Sequence, residues 1–464
     1  MHHHQHGEHA IVIGASMGGL AAAAALAGHF ARVTVLDRDV LPARPQQRRG
    51  VPQGRHAHGL QPGGLAALER LLPGLTDTLC AGGAPSGDAA ADIGWYLGGG
   101  WLARTSADVV GVGFTRPFLE HHVRTRVADL PGVTILDGTE VTGVTATADR
   151  SRVTGVRLST GADLPADLVV DASGRNSALA GWLGELGYAA PEEERVHCKM
   201  AYLTRRWLLR DGALGGDVVT VIAPAANPQF GVAIAQEDGS HIITLGGLLN
   251  SAPARNDEAY VEFAGNLPER RIADALVGAQ PIGELQPSHF PYSVRRRYDR
   301  VRRFPAGLLA TGDAIASFNP MYGQGMTVAA LEAVALREQL DAGALRARTF
   351  FRAAHRIEDV AWKISASGDL RFPTVQGRRT PDMTVMNRFF DRVLLAARTD
   401  PDIARRFLRV SGFVERPETL FRPAVLRRVL RRRLPRPSAP TPSPRPADAR
   451  VAVPVRAGRT RAGH

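Results

Sequence analysis

The sequence predicts an α/β protein: a Rossmann-like nucleotide-binding domain with an inserted mixed β-sheet domain and C-terminal helices. Three observations predict it. The apolar run His9 to Gly14 leads into a glycine-rich turn, Gly14-Ala-Ser-Met-Gly-Gly19, and then into an alanine-rich helix beginning at Leu20. Roughly 300 residues further on, Gly307-Leu-Leu-Ala-Thr-Gly-Asp313 is a second apolar run that delivers an acid, followed by a tight loop and a strong helix former from Thr327 to Leu340. Between the two, residues 195–299 break into short β-type runs separated by Gly-, Asp- or Pro-containing turns.

The first element is built for a dinucleotide. Glycine lets the backbone pass close to a pyrophosphate, and the helix N-terminus supplies N–H groups and positive field. Arg32-Val-Thr-Val-Leu-Asp37 reads as the second strand, and an acid about 20 residues beyond the turn is placed to accept from ribose hydroxyls. Ser16 stands at the middle position of the pattern, where the backbone must come closest, with Gly18 adding freedom beside it. Met17 and Gly19 complete the turn, and Arg38, Arg48 and Arg49 follow the second strand as cations able to close over phosphates or to sit solvated on the surface. The alternative for this stretch is an α/β turn that holds no nucleotide.

Two further pieces repeat the geometry. Leu168 to Val170 reads as a buried strand whose carboxyl-end turn is Asp171-Ala-Ser-Gly174, the edge at which open α/β sheets hold ligands; an ordinary strand-turn-helix is the competing reading. Gly312-Asp313 ends the other strand, and Asn319-Pro320-Met-Tyr-Gly323-Gln-Gly325 makes a tight loop before Met326 and the helix. N–H donors in such a loop can stabilise negative charge on a reduced flavin ring. Two nucleotide-type elements so far apart suggest one cofactor held at both ends.

Together these residues resemble the three FAD-contacting signatures of the single-component, aromatic-hydroxylase-like flavoprotein monooxygenases: Gly14 to Gly19 with Asp37, then Asp171 to Gly174, then Gly312-Asp313 with Pro320 and Gly323-Gln-Gly325. The stretches Arg49-Gly-Val-Pro-Gln-Gly-Arg-His-Ala-His58 and Ser317 to Thr327 are most similar to the squalene-epoxidase-like epoxidases of bacterial polyether antibiotic pathways. The resemblance spans roughly residues 9 to 430 and implies FAD as cofactor. It implies that Ser16 and Gly19 approach the pyrophosphate and Asp37 holds the adenosine ribose. Arg116, in Thr115-Arg-Pro-Phe-Leu119, braces the cofactor, and Asp313 holds the ribityl or pyrophosphate region. Pro320, Gly323, Gln324 and Gly325 line the isoalloxazine where the chemistry occurs. The family's usual Gly-Ala-Asp-Gly is here Asp171-Ala-Ser-Gly174, a departure that bears on nicotinamide handling. NADPH or NADH is therefore the implied electron source either directly or through a separate flavin reductase. The implied reaction transfers one oxygen atom of O2, through a flavin C4a-hydroperoxide, to a carbon–carbon double bond of an extended apolar polyketide or terpenoid. Ring hydroxylation of a phenol or quinone, and a flavin-dependent reductase, are the alternatives.

His56 and His58 alternate with Ala57, so an extended backbone turns them the same way; His58 is the candidate base or flavin-proximal donor, with ordinary loop hydrogen bonding as the alternative. Two histidines beside Arg55 do not make a metal site, and no metal is expected. Trp95, Trp101, Phe230, Phe290 and Tyr322 are the candidate walls of an apolar substrate cavity, each with a core role as its alternative. The strands expected in the substrate domain are Lys199–Leu209, Val218–Ala223, Phe230–Gln236 and His241–Leu249, with one helix from Asp257 to Leu276. In domain terms, 9–194 and 300–360 form the FAD-binding part, with a substrate-facing excursion near 85–110. Residues 195–299 form the substrate sheet and 361–430 the C-terminal helices.

Composition removes other classes. The net charge of +12 suggests nucleic acid until it is located: Arg427 to His464 holds eleven arginines against one acid, Asp448, a net +10. That leaves about +2 for the remainder, so the charge belongs to a Pro- and Arg-rich tail, 431–464, expected to be disordered, and nucleic acid is not an expected partner. Two cysteines give no disulfide framework, and no apolar run approaches the roughly 20 residues a bilayer requires. The expectation is a cytoplasmic enzyme with a small lipophilic substrate, peripheral membrane contact through Leu426 to Leu434 being a weaker option and oligomeric state left open.

Overall fold

The computed structural model describes residues 6–223 and 228–431. The tail from 432 onward therefore lies outside the described residues. A five-stranded, all-parallel sheet forms the first layer, in the order Leu308–Ala310, Leu168–Asp171, Gly7–Ile13, Phe30–Leu36, Val133–Leu136. Its central strand is a continuous apolar run, as a strand covered on both faces requires, with Ala10 to Val12 fully buried. Register decides what this sheet can do. Ile13 lies opposite both Leu36 and Asp171, and Asp171 lies opposite Ala310, so the strands end level with one another. The glycine-rich turn, Asp37, the 171–174 turn and Gly312-Asp313 are thereby delivered to one edge.

The helix Met17–Leu26 is apolar all round because it is enclosed all round: nine of its ten residues are buried, between the sheet and the helix Gly325–Asp341. Its approach depends on glycine. A methyl group at Gly19 would overlap the carbonyl oxygen of Gly14, and at Gly14, with φ +103°, it would lie 2.7 Å from the carbonyl oxygen of Ala172. Gly18 is different, since a methyl group there meets Ala329 at 3.7 Å, an ordinary contact.

The second large sheet has seven strands, in the order Gln280–Phe290, Met200–Leu208, His241–Gly247, Gln229–Ala235, Val219–Ile222, Ile93–Leu97, Gly100–Trp101. The strand Ile93–Leu97 pairs in parallel with Val219–Ile222, which places the 85–110 excursion inside this sheet. Tyr260, Phe263, Ile272 and Leu276 cover its core from a helical segment on one face. The single helix expected from Asp257 to Leu276 is in fact two, Asp257–Gly265 and Arg271–Leu276. Pro268 between them has no N–H to donate and disfavours helical backbone at Leu267, so the first helix stops.

A small four-stranded sheet, Ala316–Ser317, Ser293–Arg296, Glu193–His197, Gln376–Gly377, joins the two layers. The helices Ala347–Asp369, Pro381–Ala397, Pro401–Ser411 and Pro423–Leu430 follow, the first crossing the 360/361 boundary drawn from the sequence. The last three pack on residues 89–109 through Leu102, Val393, Leu408 and Val425. Among the described residues no helix is long and apolar enough to cross a membrane.

The two glycines of the turn separate experimentally. Gly19→Ala is expected to lose about 3 kcal/mol or more in urea unfolding followed by circular dichroism, because backbone must move. Gly18→Ala, in the same helix, should stay within about 1 kcal/mol of the parent.

Candidate functional site

The nucleotide edge is organised by a buried cluster of charges. Asp37 accepts from the backbone N–H of Ala15 at 2.7 Å and of Asp39 at 2.9 Å, pinning the turn to the end of the second strand. Arg48 enters from the following loop and donates to Asp37 at 3.2 Å, to Asp39 at 2.9 Å and, through Nε, to Glu120 at 2.7 Å. Arg116 opens the helix Arg116–Ala128, capped by Thr115, and donates to Ser16 Oγ at 2.8 Å and Glu120 at 2.9 Å. Burial acts to raise the Glu120 carboxyl, but Arg116 and Arg48 beside it hold it below its ordinary value.

This cluster adds to two expectations. Arg48 is drawn into the cluster, whereas Arg49 and Arg38 are exposed. Asp37, expected at the adenosine ribose, also anchors the turn, since its oxygens receive Ala15, Asp39 and Arg48. The side chain of Met17 is buried in the core, leaving only its backbone to face a ligand.

The second and third turns meet the first. Gly18 and Gly312 face each other so closely that a methyl group on Gly312 would lie 3.8 Å from the Gly18 Cα. Gly312 has φ +63°, and its N–H donates to Glu332 at 2.7 Å, as does the hydroxyl of Thr311 at 2.8 Å. Glu332 faces Glu358 of the helix Ala347–Asp369; burial raises both carboxyls, with the charge of Asp313 adding to it at Glu332 and that of Glu332 adding to it at Glu358, so the pair retains a proton well above the ordinary carboxylate range. Asp313 accepts from Ser317 Oγ at 3.3 Å and faces Gly325; burial raises its carboxyl, opposed by Arg175. Asp171 is fully buried and accepts from Ser173 N at 2.9 Å and from Ser177 Oγ, so its side chain shapes the 171–177 turn instead of reaching a ligand. Gly174, with φ +88°, has open space around it.

Beyond the loop Pro320–Gly323 lies a cavity of about 150 Å³ against the seven-stranded sheet. Its walls include His58, Trp95, Tyr202, Phe230, Met321 and Tyr322, and among the described residues no lysine, arginine, aspartate or glutamate lines it. Of the five aromatics expected there, Trp95, Phe230 and Tyr322 are present. Trp101 and Phe290 are not: Trp101 lies at the sheet edge beneath the Arg271 guanidinium at 3.8 Å, and Phe290 stacks under Arg175 at 4.5 Å. Arginine claims both rings because a cation over an aromatic face is attractive and tolerates solvent.

The two histidines take different partners. His56 is buried, bonded through Nδ1 to Thr204 Oγ1 at 2.9 Å and set edge-on to Tyr202; burial and then Arg55 lower it to about 4. His58 reaches the cavity with Nδ1 2.9 Å from the carbonyl oxygen of His56, and burial followed by Arg116 lowers it to about 3. A carbonyl oxygen only accepts, so neutral His58 carries its proton on Nδ1 and keeps Nε2 as an acceptor.

The residues present fit an FAD. Ser16 does not cap the helix Met17–Leu26, which leaves first-turn N–H groups for an oxyanion. Arg116 Nε and Gln324 Oε1 are buried polar atoms without a protein partner, one beside the glycine turn and the other in the loop before Gly325. Arg116 Nη1 also lies 3.1 Å from Met326 Sδ, so the turn and the start of the last helix converge on one guanidinium. Sequence reasoning missed Glu120, Glu332 and Asp369. Glu332 alone leaves a trace, a lone acid within Val328-Ala-Ala-Leu-Glu-Ala-Val-Ala-Leu336.

Comparison with known proteins agrees with this geometry. A family model described as FAD binding domain matches residues 8–348. Protein Rv3254 of Mycobacterium tuberculosis strain H37Rv is 36% identical over 430 residues, covering 87% of this chain and 89% of its own. Among solved structures, a p-nitrophenol 4-monooxygenase from Pseudomonas putida DLL-E4 is 19% identical with a TM-score of 0.60, over 88% of this chain and 98% of that one. A flavin-dependent brominase, Bmp2, is 15% identical with a TM-score of 0.63, over 92% and 100% respectively. At such identities the structures speak for the fold alone.

Two measurements test the assignments. Asp313→Ala and Arg116→Met should each weaken FAD binding about tenfold or more in a fluorescence titration, while Arg49→Met should not. The raised Glu332–Glu358 pair binds protons more tightly when folded, so its stabilising contribution is lost as pH rises. Unfolding free energy should therefore fall from about pH 5 to about pH 8, and Glu358→Gln should flatten that slope.

Proposed function

Because the chain belongs to the FAD binding domain family of aromatic-hydroxylase-like flavoprotein monooxygenases, we propose that it epoxidises carbon–carbon double bonds of an extended, largely apolar polyketide or terpenoid substrate. The observation that carries the reading is the cavity: walled by neutral side chains and bounded on one side by Pro320 to Gly323. Its volume of about 150 Å³ admits one segment of a long chain at a time, with the remainder outside. Bound FAD, once reduced, supplies the activation of O2 and delivery of one of its atoms. The protein's part is placement. The turn at Gly14 to Gly19 with Arg116 would hold the phosphates, Asp313 the ribityl region, and the Pro320–Gly325 loop the ring system. Met321, Tyr322 and Phe230 keep water from the reacting face, which favours transfer to substrate over loss of peroxide. An alkene accepts electrophilic oxygen directly, so this lining needs no charged base. Reducing equivalents come from NADPH or NADH, either at this chain or through a partner flavin reductase, in the cytoplasm.

One observation favours a second reading. His58 Nε2 is a neutral acceptor at the cavity, and a phenolic hydroxyl donating to it would place electron density in an aromatic ring, as hydroxylation requires.

The two readings separate by product. FAD-loaded protein, chemically reduced and exposed to O2 with a panel of polyenes and phenols, is expected to return epoxides identified by mass and NMR. His58→Ala should leave epoxidation within a few-fold. If ring-hydroxylated phenols appear instead, with no alkene oxidised, and His58→Ala lowers that rate about a hundredfold, the second reading holds. Substrate reduction without oxygen incorporation would move the assignment to a flavin reductase.

A further inference from the structure

Asp369 closes the helix Ala347–Asp369 and is fully buried, yet no cation among the described residues pairs with it. Its partners come from one loop. Asn319 Nδ2 donates to both carboxylate oxygens, at 3.0 and 3.1 Å, and the Tyr322 hydroxyl donates to Oδ1 at 3.0 Å. Asn319, itself fully buried, also accepts from Met321 N at 3.1 Å and donates its own N–H to Ser293 Oγ at 2.9 Å. The Tyr322 carbonyl accepts from Gln61 Nε2 at 3.2 Å. The preceding residue is Gly368, where a methyl group would overlap the Tyr322 hydroxyl oxygen. The phenol therefore reaches Asp369 only across a residue without a side chain. Tyr322, together with Pro320, Met321 and Gly323, also lines the cavity.

We infer that Asp369 is a positioning residue for oxygen transfer: it gathers Asn319 and Tyr322 so that the 319–323 loop is held in one place between the flavin ring and the substrate cavity. The inference rests on the reading of the cavity given above. A buried carboxylate left with unpaired lone pairs is costly, so both donors, the Asn319 amide and the Tyr322 hydroxyl, are held firmly, and hydrogen bonds to an ionised group are about twice as strong as neutral ones. Asp369 gives the loop a fixed point that belongs to a different helix. It touches neither cofactor nor substrate, acting through Asn319 and Tyr322.

Its ionisation is part of the device. Burial pushes the Asp369 carboxyl up to about 7, opposed by the hydrogen bonds from Asn319 and Tyr322. The titratable groups facing this corner are Tyr322, raised by burial and by Asp369, and Cys198, which burial pushes up to about 12, with Arg371 acting on Tyr322 from beyond the helix end. Between pH 6 and pH 8 only Asp369 changes charge among them. Protonation turns one carboxyl oxygen into a donor, so Asn319 and Tyr322 no longer face the full set of ionised acceptors that holds them in the carboxylate form.

The test uses full-length protein loaded with FAD, in four variants: Asp369→Asn, Gly368→Ala, Tyr322→Phe, and Gly368→Ala combined with Tyr322→Phe. Three readouts are taken: the visible absorption band of the bound flavin across pH, FAD affinity, and product formed per reductant consumed with a polyene. Asp369→Asn and Gly368→Ala are expected to remain folded with a lowered thermal unfolding midpoint and to keep FAD affinity, but to shift the flavin band and lower coupling about tenfold. The double variant should recover toward Tyr322→Phe, because removing the hydroxyl oxygen makes room for the methyl group. The parent band should titrate near pH 7 and that of Asp369→Asn should not. A folded Asp369→Asn protein with the parent spectrum, coupling and pH profile would overturn the inference, as would a double variant no better than Gly368→Ala. Should the parent oxidise no polyene at all, the epoxidase reading fails by itself, while the flavin band and its pH profile still decide the role of Asp369.

Discussion

The nucleotide edge depends on the ion cluster centred on Arg48. One guanidinium joins Asp37 at the end of a strand, Asp39 in the loop beyond it and Glu120 on a helix 72 residues later; Arg116 then shares Glu120 and reaches Ser16. Arg124, 3.8 Å from Glu120, brings the cations to three against three acids. Buried ions cost several kcal/mol each in lost hydration, and a balanced cluster recovers that cost only with every partner in place. Removing one member strands the others, which makes the cluster a strict specification of where the helix Met17–Leu26 begins. Because it is neutral within itself, an approaching dianion meets the helix N-terminus and the spare Nε of Arg116, not a field of acids.

A second dependence ties that edge to the substrate side. Gly18 and Gly312 are in near contact, and the helix Gly325–Asp341 packs along Met17–Leu26. The loop ahead of this helix lines the cavity, so the glycine-rich turn and the cavity wall sit on one packed unit. The opposite wall belongs to the seven-stranded sheet, fastened by the segment 56–61: His56 bonds to Thr204, Ala57 N to Thr244 at 3.3 Å, and Gln61 N to Thr327 Oγ1 at 2.9 Å. That short segment touches both walls and therefore sets the distance between them.

Local features of the sequence carried the fold. Glycine at 14 and 19, an acid after the second strand and Gly312-Asp313 each report a backbone requirement that a few neighbouring residues determine, and the structure brings them to one edge. What stayed hidden depends on tertiary pairing. Nothing local distinguishes Arg48 from Arg49; the conformation of the loop turns one inward and the other to solvent. Trp101 and Phe290 have the composition of cavity walls, but Arg271 and Arg175, 170 and 115 residues away in sequence, claim their faces. Asp369 reads as an ordinary helix-terminal acid until Asn319 and Tyr322 are seen to fold onto it.

The placement of titratable groups follows a pattern with chemical meaning. The cavity lining is neutral: His58 is held without a second proton, and Tyr202 and Tyr322 keep theirs because burial raises them. The ionisable carboxyls, Asp313, Glu332, Glu358 and Asp369, stand one layer behind, beneath the turn at Gly312 or behind the 319–323 loop. Oxygen transfer to an uncharged apolar substrate gains from a dry, neutral chamber, since any fixed charge in the wall would draw water into it. Holding the loop in place gains from charge, because strong hydrogen bonds need an ionised partner. On the reading proposed above, the architecture would meet both demands by putting the charge on the far side of the loop it holds.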